Sequence, residues 1–101
     1  MISGRDYLFI EYGCEHCEKY VNIVDIINSN LSPKDKIVVI DITNSSEMDI
    51  IDDPLIKRFN IDSVPILFLK GHSGYKKITG VSSKDWIVGF LNAYYRNKFL
   101  T

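Results

Sequence analysis

The sequence predicts an α/β domain, a four-stranded mixed sheet flanked by helices in the order β-α-β-α-β-β-α. Three observations carry that expectation. Strand-like runs of aliphatic, β-branched and aromatic residues recur at 7–12, 37–42 and 64–70. Between and after them lie segments with apolar residues at three- and four-residue steps, the period of a half-buried helix. A Gly-containing turn at 71–74 joins the third run to a short return strand, which makes a hairpin. With 101 residues the chain can bury one two-layer core but not a second one, so 1–101 reads as a single domain.

Each element has its own signal. Tyr7-Leu8-Phe9-Ile10-Glu11-Tyr12 is a buried strand ending at Gly13. A helix starts near Cys14, with Cys17, Tyr20, Val21, Val24 and Ile27 inward and Glu18, Lys19, Asn22, Asp25 and Asn28 outward, and Pro33 lies beyond its end. Ile37-Val38-Val39-Ile40-Asp41-Ile42 is the continuous apolar run of a central strand. Residues 43–53 are polar and carry no period. Asp52-Asp53-Pro54 opens a short helix with Leu55, Ile56 and Phe59 on its buried side. Val64-Pro65-Ile66-Leu67-Phe68-Leu69-Lys70 and residues 75–79 form the hairpin. Ser82-Ser83-Lys84-Asp85 resembles a capping box before a last helix with Trp86, Ile87, Phe90, Leu91 and Tyr94 inward. Two crossover units followed by a hairpin imply parallel pairing of the first strands and an antiparallel edge.

Composition narrows the function. The 12 Lys and Arg are interspersed with 13 Asp and Glu, for a net charge of −1, so no long-range field draws nucleic acid or an anionic membrane. No apolar run is long enough for a secretory core or a membrane span. The expectation is a cytoplasmic protein. In a reducing compartment, two cysteines three apart point to catalysis or metal binding rather than to a structural crosslink.

Cys14 and Cys17 are the only cysteines, and they stand where a strand runs into the start of a helix. N–H groups and the positive dipole end at a helix start stabilise a thiolate, the attacking species in disulfide exchange. Cys17, one turn further in, can attack the resulting mixed disulfide and release the product. Cys14 is therefore the expected nucleophile and Cys17 the resolving thiol. His16, when protonated, favours the thiolate of Cys14, whereas Glu11, Glu15 and Glu18 oppose it. Tyr12, beside Gly13 at the mouth of the site, either lines a substrate groove or packs.

The motif Cys14-Glu15-His16-Cys17 in its strand–helix setting, followed by Arg58-Phe59-Asn60-Ile61-Asp62-Ser63-Val64-Pro65-Ile66-Leu67-Phe68-Leu69-Lys70-Gly71, resembles the thioredoxin and glutaredoxin superfamily from about residue 7 to 95. The resemblance implies a thioredoxin-like fold with a cis Val64–Pro65 bond opposite the cysteines, and substrate backbone pairing with Val64. It implies a dithiol oxidoreductase that acts on protein disulfides through a redox-active Cys14–Cys17 disulfide with no other cofactor. The partners implied are disulfide-containing proteins and a thiol or NADPH-linked reductase, with the chain a monomer. Gly80 matches the family's glycine after the hairpin. The sequence departs from the family in its Glu-His pair and in Leu8, which stands where thioredoxins carry a buried acid. The glycine pair with which glutaredoxins hold glutathione is reduced to Gly80-Val81-Ser82-Ser83.

Other readings stand beside this one. A glutathione-linked glutaredoxin is one, and a thioredoxin-fold binding or redox-sensing module without turnover is another. Zinc would have only Cys14, Cys17, His16 and His72 as soft or imidazole ligands, and adjacent His16 and Cys17 rarely point at one ion. A cluster shared between two copies is a further metal alternative. An exposed His16 without redox role and a trans Pro65 opening a strand are the plain alternatives for those residues.

Overall fold

The computed structural model describes residues 4–59, 61, 63–71, 74–79 and 83–100. Its elements are β1 (Tyr7–Ile10), α1 (Glu15–Asn28), β2 (Val38–Asp41), α2 (Ser45–Asp49), α3 (Pro54–Lys57), β3 (Ile66–Lys70), β4 (Tyr75–Thr79) and α4 (Lys84–Leu100). The strands form one mixed sheet in the order β2-β1-β3-β4. β1 and β2 are parallel, and β3 is antiparallel to both β1 and β4. Among the described residues no helix is long and apolar enough to cross a membrane.

Side-chain alternation along β1 divides the core in two. Leu8 and Ile10 point to one face, where Cys17, Tyr20, Ile23, Val24 and Ile27 of α1 meet Ile87, Leu91 and Tyr95 of α4. Tyr7 and Phe9 point to the other, with Ile40, Ile51, Ile56, Ile66 and Phe68. All four β1 residues are buried, which explains why its sequence reads as a continuous apolar run rather than an alternating one.

Only the first connection makes a parallel crossover, which corrects the expectation of two. Helix α1 has 14 residues, about 21 Å, more than the roughly 13 Å of a four-residue strand, so it returns the chain to the start of the sheet. The second connection contains only the five-residue α2 and four-residue α3, each under about 8 Å. Neither helix spans the sheet, and β3 begins at the end where β1 and β2 finish and runs back.

Local chemistry accounts for the other differences. Helix α2 falls in the stretch that carries no apolar period: it buries no residue and is held by Asn44, whose side-chain oxygen accepts from the Ser46 N–H at 3.0 Å. Asn28, expected outward, closes the end of α1 against the next strand. Its side chain donates to Ile37 O at 3.0 Å and accepts from Ile37 N–H at 2.8 Å. Ser83 caps α4 by accepting from Trp86 N–H at 3.2 Å, one residue beyond the expected Ser82, which lies outside the described residues. The buried stripe of α4 is Ile87, Leu91 and Tyr95, so Trp86 does not face the core; it is 51% exposed and stacks on Phe90 at 5.3 Å. Ile56 is buried as expected, Phe59 is 41% exposed against Phe68, and the side chain of Leu55 lies outside the described residues. So do His72 and Gly80, together with Asn60 and Asp62 of the quoted motif.

Candidate active site

β1 delivers the chain to its carboxyl end, and Glu11-Tyr12-Gly13 turns it into α1. The turn is closed by Cys14 N–H donating to Glu11 O at 3.3 Å. Gly13 takes φ +88°, the left-handed region that side chains disfavour, which is the local reason for glycine at the break between strand and helix. Cys14 is then the N-cap of α1, with φ −88° and ψ 120°. Its Sγ accepts from the Cys17 N–H at 3.3 Å, the place a Ser or Asp oxygen takes at an ordinary N-cap, and its carbonyl accepts from Glu18 N–H at 3.0 Å.

The two thiols are free and differ in environment. Cys14 is half-buried, while Cys17 is 1% exposed and belongs to the core between the sheet and α1. Burial pushes the Cys17 thiol up to about 11, with a hydrogen bond to Cys14 and the negative charges of Cys14 and Glu11 acting the same way and a hydrogen bond to the Glu11 backbone acting against them. Cys17 is thus a neutral thiol at physiological pH, behind a more accessible sulfur that receives one of the free N–H groups at the helix start. Leu8 is fully buried, so no acid reaches the cysteines from that position.

The Val64–Pro65 bond is cis. The antiparallel register ends with Phe9 opposite Ile66, so Val64 and Pro65, the two residues before Ile66, lie at the end of the sheet where β1 runs into the Glu11-Tyr12-Gly13 turn. Pro65 is buried, and half-buried Val64 packs against the same core cluster as Cys14. Cys14, Cys17, Val64 and Pro65 therefore share one end of the sheet. Tyr12 is 72% exposed, which decides against packing into the core, and it lines a cavity of about 320 Å³ with Ile10, Glu11, Cys17, Glu18, Val21 and Asn22. His16 is exposed on the first turn of α1, and no described hydrogen bond ties it to either cysteine.

Glu18, expected only as a charge near Cys14, Val21, expected as core, and Asn22, expected outward, all line this cavity. The signal was available in their spacing. Glu18 and Asn22 lie four and eight residues after Cys14, and Val21 lies four after Cys17, so the helix stacks them on the faces that carry the cysteines. A larger cavity of about 620 Å³, lined by Arg5, Asp6, Lys34, Lys70, Tyr94 and Lys98 among others, opens at the opposite end of the sheet, away from the cysteines. Among the described residues no group of three or more His, Cys, Asp or Glu is gathered as metal ligands. No protein-family model and no curated protein matches the chain.

Proposed function

We infer that this chain is a dithiol thiol–disulfide oxidoreductase of the thioredoxin-like class that acts on protein disulfides, with Cys14 attacking and Cys17 resolving. One observation carries the reading: a half-buried cysteine caps a helix and accepts an N–H at 3.3 Å, with a second, buried cysteine one turn behind it. The sheet order β2-β1-β3-β4, the cysteines at the end of β1 and Val64-Pro65 entering β3 support the thioredoxin-like assignment.

The chemistry balances between two dithiol–disulfide couples. The Cys14 thiolate attacks one sulfur of the substrate disulfide; a Cys14–substrate S–S bond forms, the substrate S–S bond breaks, and the departing thiolate takes a proton from water. Cys17 then loses its proton and attacks the Cys14 sulfur. The intramolecular disulfide forms and the second substrate thiol leaves, so the protein dithiol is oxidised and the substrate reduced by two electrons. A thiol or NADPH-linked reductase regenerates the dithiol in a reducing compartment. The buried position of Cys17 favours this order, since a substrate disulfide reaches Cys14 first. Val64, the expected partner of extended substrate, lies at the same end of the sheet. Cys17→Ser is the test. The variant accumulates a mixed disulfide on Cys14, whereas Cys14→Ser exchanges with nothing; a Cys17→Ser protein that never captures a disulfide substrate overturns the order of attack.

A further inference from the structure

The cavity beside Cys17, one helical turn from Cys14, has a composition of its own. Its floor is apolar, made by Ile10, Val21 and the buried Cys17, while Glu11 and Glu18 stand at its rim with Asn22 and the exposed Tyr12. Among the described residues no ion pair or hydrogen bond engages either rim carboxylate. Lys19, the basic side chain nearest in sequence, is half-buried and engaged in an interaction of its own. At about 320 Å³ the cavity lies at the small end of ligand pockets and has room for one long side chain.

An apolar trough with carboxylates at its lip suits one kind of side chain. Arginine and lysine lay their methylene stems on apolar surface and keep the charged head at the edge. Tyr12 adds an aromatic face on which a guanidinium stacks, and that favours arginine over lysine. A neutral aliphatic side chain would fill the trough but leave both carboxylates unpaired, and an acidic one would face repulsion from Glu11 and Glu18.

We propose that this cavity is a specificity pocket for a basic side chain, arginine above all, adjacent to the disulfide that Cys14 attacks; the proposal rests on the exchange reading above. Its occupant is part of a polypeptide substrate, which the pocket holds while the neighbouring sulfur meets Cys14. The pocket thus selects disulfides flanked by positive charge from among those that Cys14 could reach.

The test uses the full chain, reduced and in excess, with three peptides that differ in one residue. Each peptide is closed by one intramolecular disulfide and carries arginine, norleucine or glutamate beside a cysteine. Single-turnover rates are read by acid quench and mass of the peptide dithiol. At low salt the arginine peptide is reduced about five times faster than the norleucine peptide, the order expected for an exposed ion pair with an aromatic contact, and the glutamate peptide is slowest. The arginine-to-norleucine ratio falls towards one in Glu11→Gln/Glu18→Gln and in high salt. Any effect of the double variant on the thiols themselves cancels in that ratio. Equal rates for the three peptides, a preference for norleucine, or a ratio that persists in the double variant overturns the pocket while leaving the exchange reading intact. If the protein reduces none of the peptides faster than a small dithiol does, the exchange reading fails and the pocket with it.

Discussion

In the exchange proposed above, the burial of Cys17 sets a measurable pH dependence on the second step. In the dithiol its thiol is pushed up to about 11, first by desolvation and then by the hydrogen bond to Cys14 and the charges of Cys14 and Glu11. A thiol at that value is ionised to only about one part in ten thousand at pH 7. Once Cys14 is tied up in a mixed disulfide, its hydrogen bond and charge no longer act, and the value moves back towards the ordinary 9.0. Desolvation, the largest cause, remains, so it does not return all the way. The resolving rate should therefore climb about tenfold per pH unit from pH 7 through pH 9 and level off only above that. The assay loads Cys14 with a single-cysteine peptide as a mixed disulfide and follows peptide release by rapid quench between pH 7 and 10. Glu11→Gln should raise the rate at pH 7 by no more than about threefold, since an exposed charge is well screened. A plateau at or below pH 8.5 would refute the reasoning, because it would mean that the core does not hold Cys17 neutral.

Three further outcomes follow from the same geometry. Gly13→Ala meets no neighbouring atom, so its cost is that of a side chain at φ +88°, about 1–2 kcal/mol, read as a fall in melting temperature of roughly 4–8 °C per kcal/mol. Tyr95→Phe removes the O–H that donates to the buried Asp6 Oδ2 at 2.7 Å and should cost about 1.5–3 kcal/mol by denaturant titration; a loss below about 0.5 kcal/mol would show that Lys70 N–H and Lys98 satisfy that carboxylate alone. The raised Cys17 value also bears on stability. The unfolded thiol ionises near 9.0 and the folded one near 11, so this contribution is complete below pH 9 and is lost as pH rises to about 11. The stability of the reduced protein should fall more steeply across that window than that of Cys17→Ala, and equal slopes would contradict the assignment.

The sequence made the strand and helix order around the site legible because those elements carry their signal in side-chain period. The cysteine placement was equally plain, since Gly13 breaks the strand and Cys14 opens the helix. Other features depend on interactions that no period records. Helix α2 buries nothing and rests on the Asn44 cap, and its Ser45-Ser46-Glu47 start reads as loop. On α4 two apolar stripes run side by side, Trp86-Phe90-Tyr94 and Ile87-Leu91-Tyr95, and sheet packing chose the second for burial. The reversal at β3 depended on helix length, which the sequence leaves open by several residues at each end. Glu18 and Asn22 stand at helical spacing from Cys14 but, being polar, read as solvent-facing, and the cavity they line with Tyr12 and Glu11 exists only where the chain turns from β1 into α1.

The Cys14–Cys17 couple is the centre of the proposed function, and its reduction potential tests that function most directly. Titrated against a defined thiol buffer, the full chain should interconvert reversibly between dithiol and disulfide as a two-electron couple, with a tenfold change in ratio per 29.6 mV. A midpoint near about −270 mV would mark a reductant, and one nearer about −180 to −120 mV an isomerase or oxidant. A chain that forms no reversible intramolecular disulfide would contradict the central claim, whatever else the fold binds.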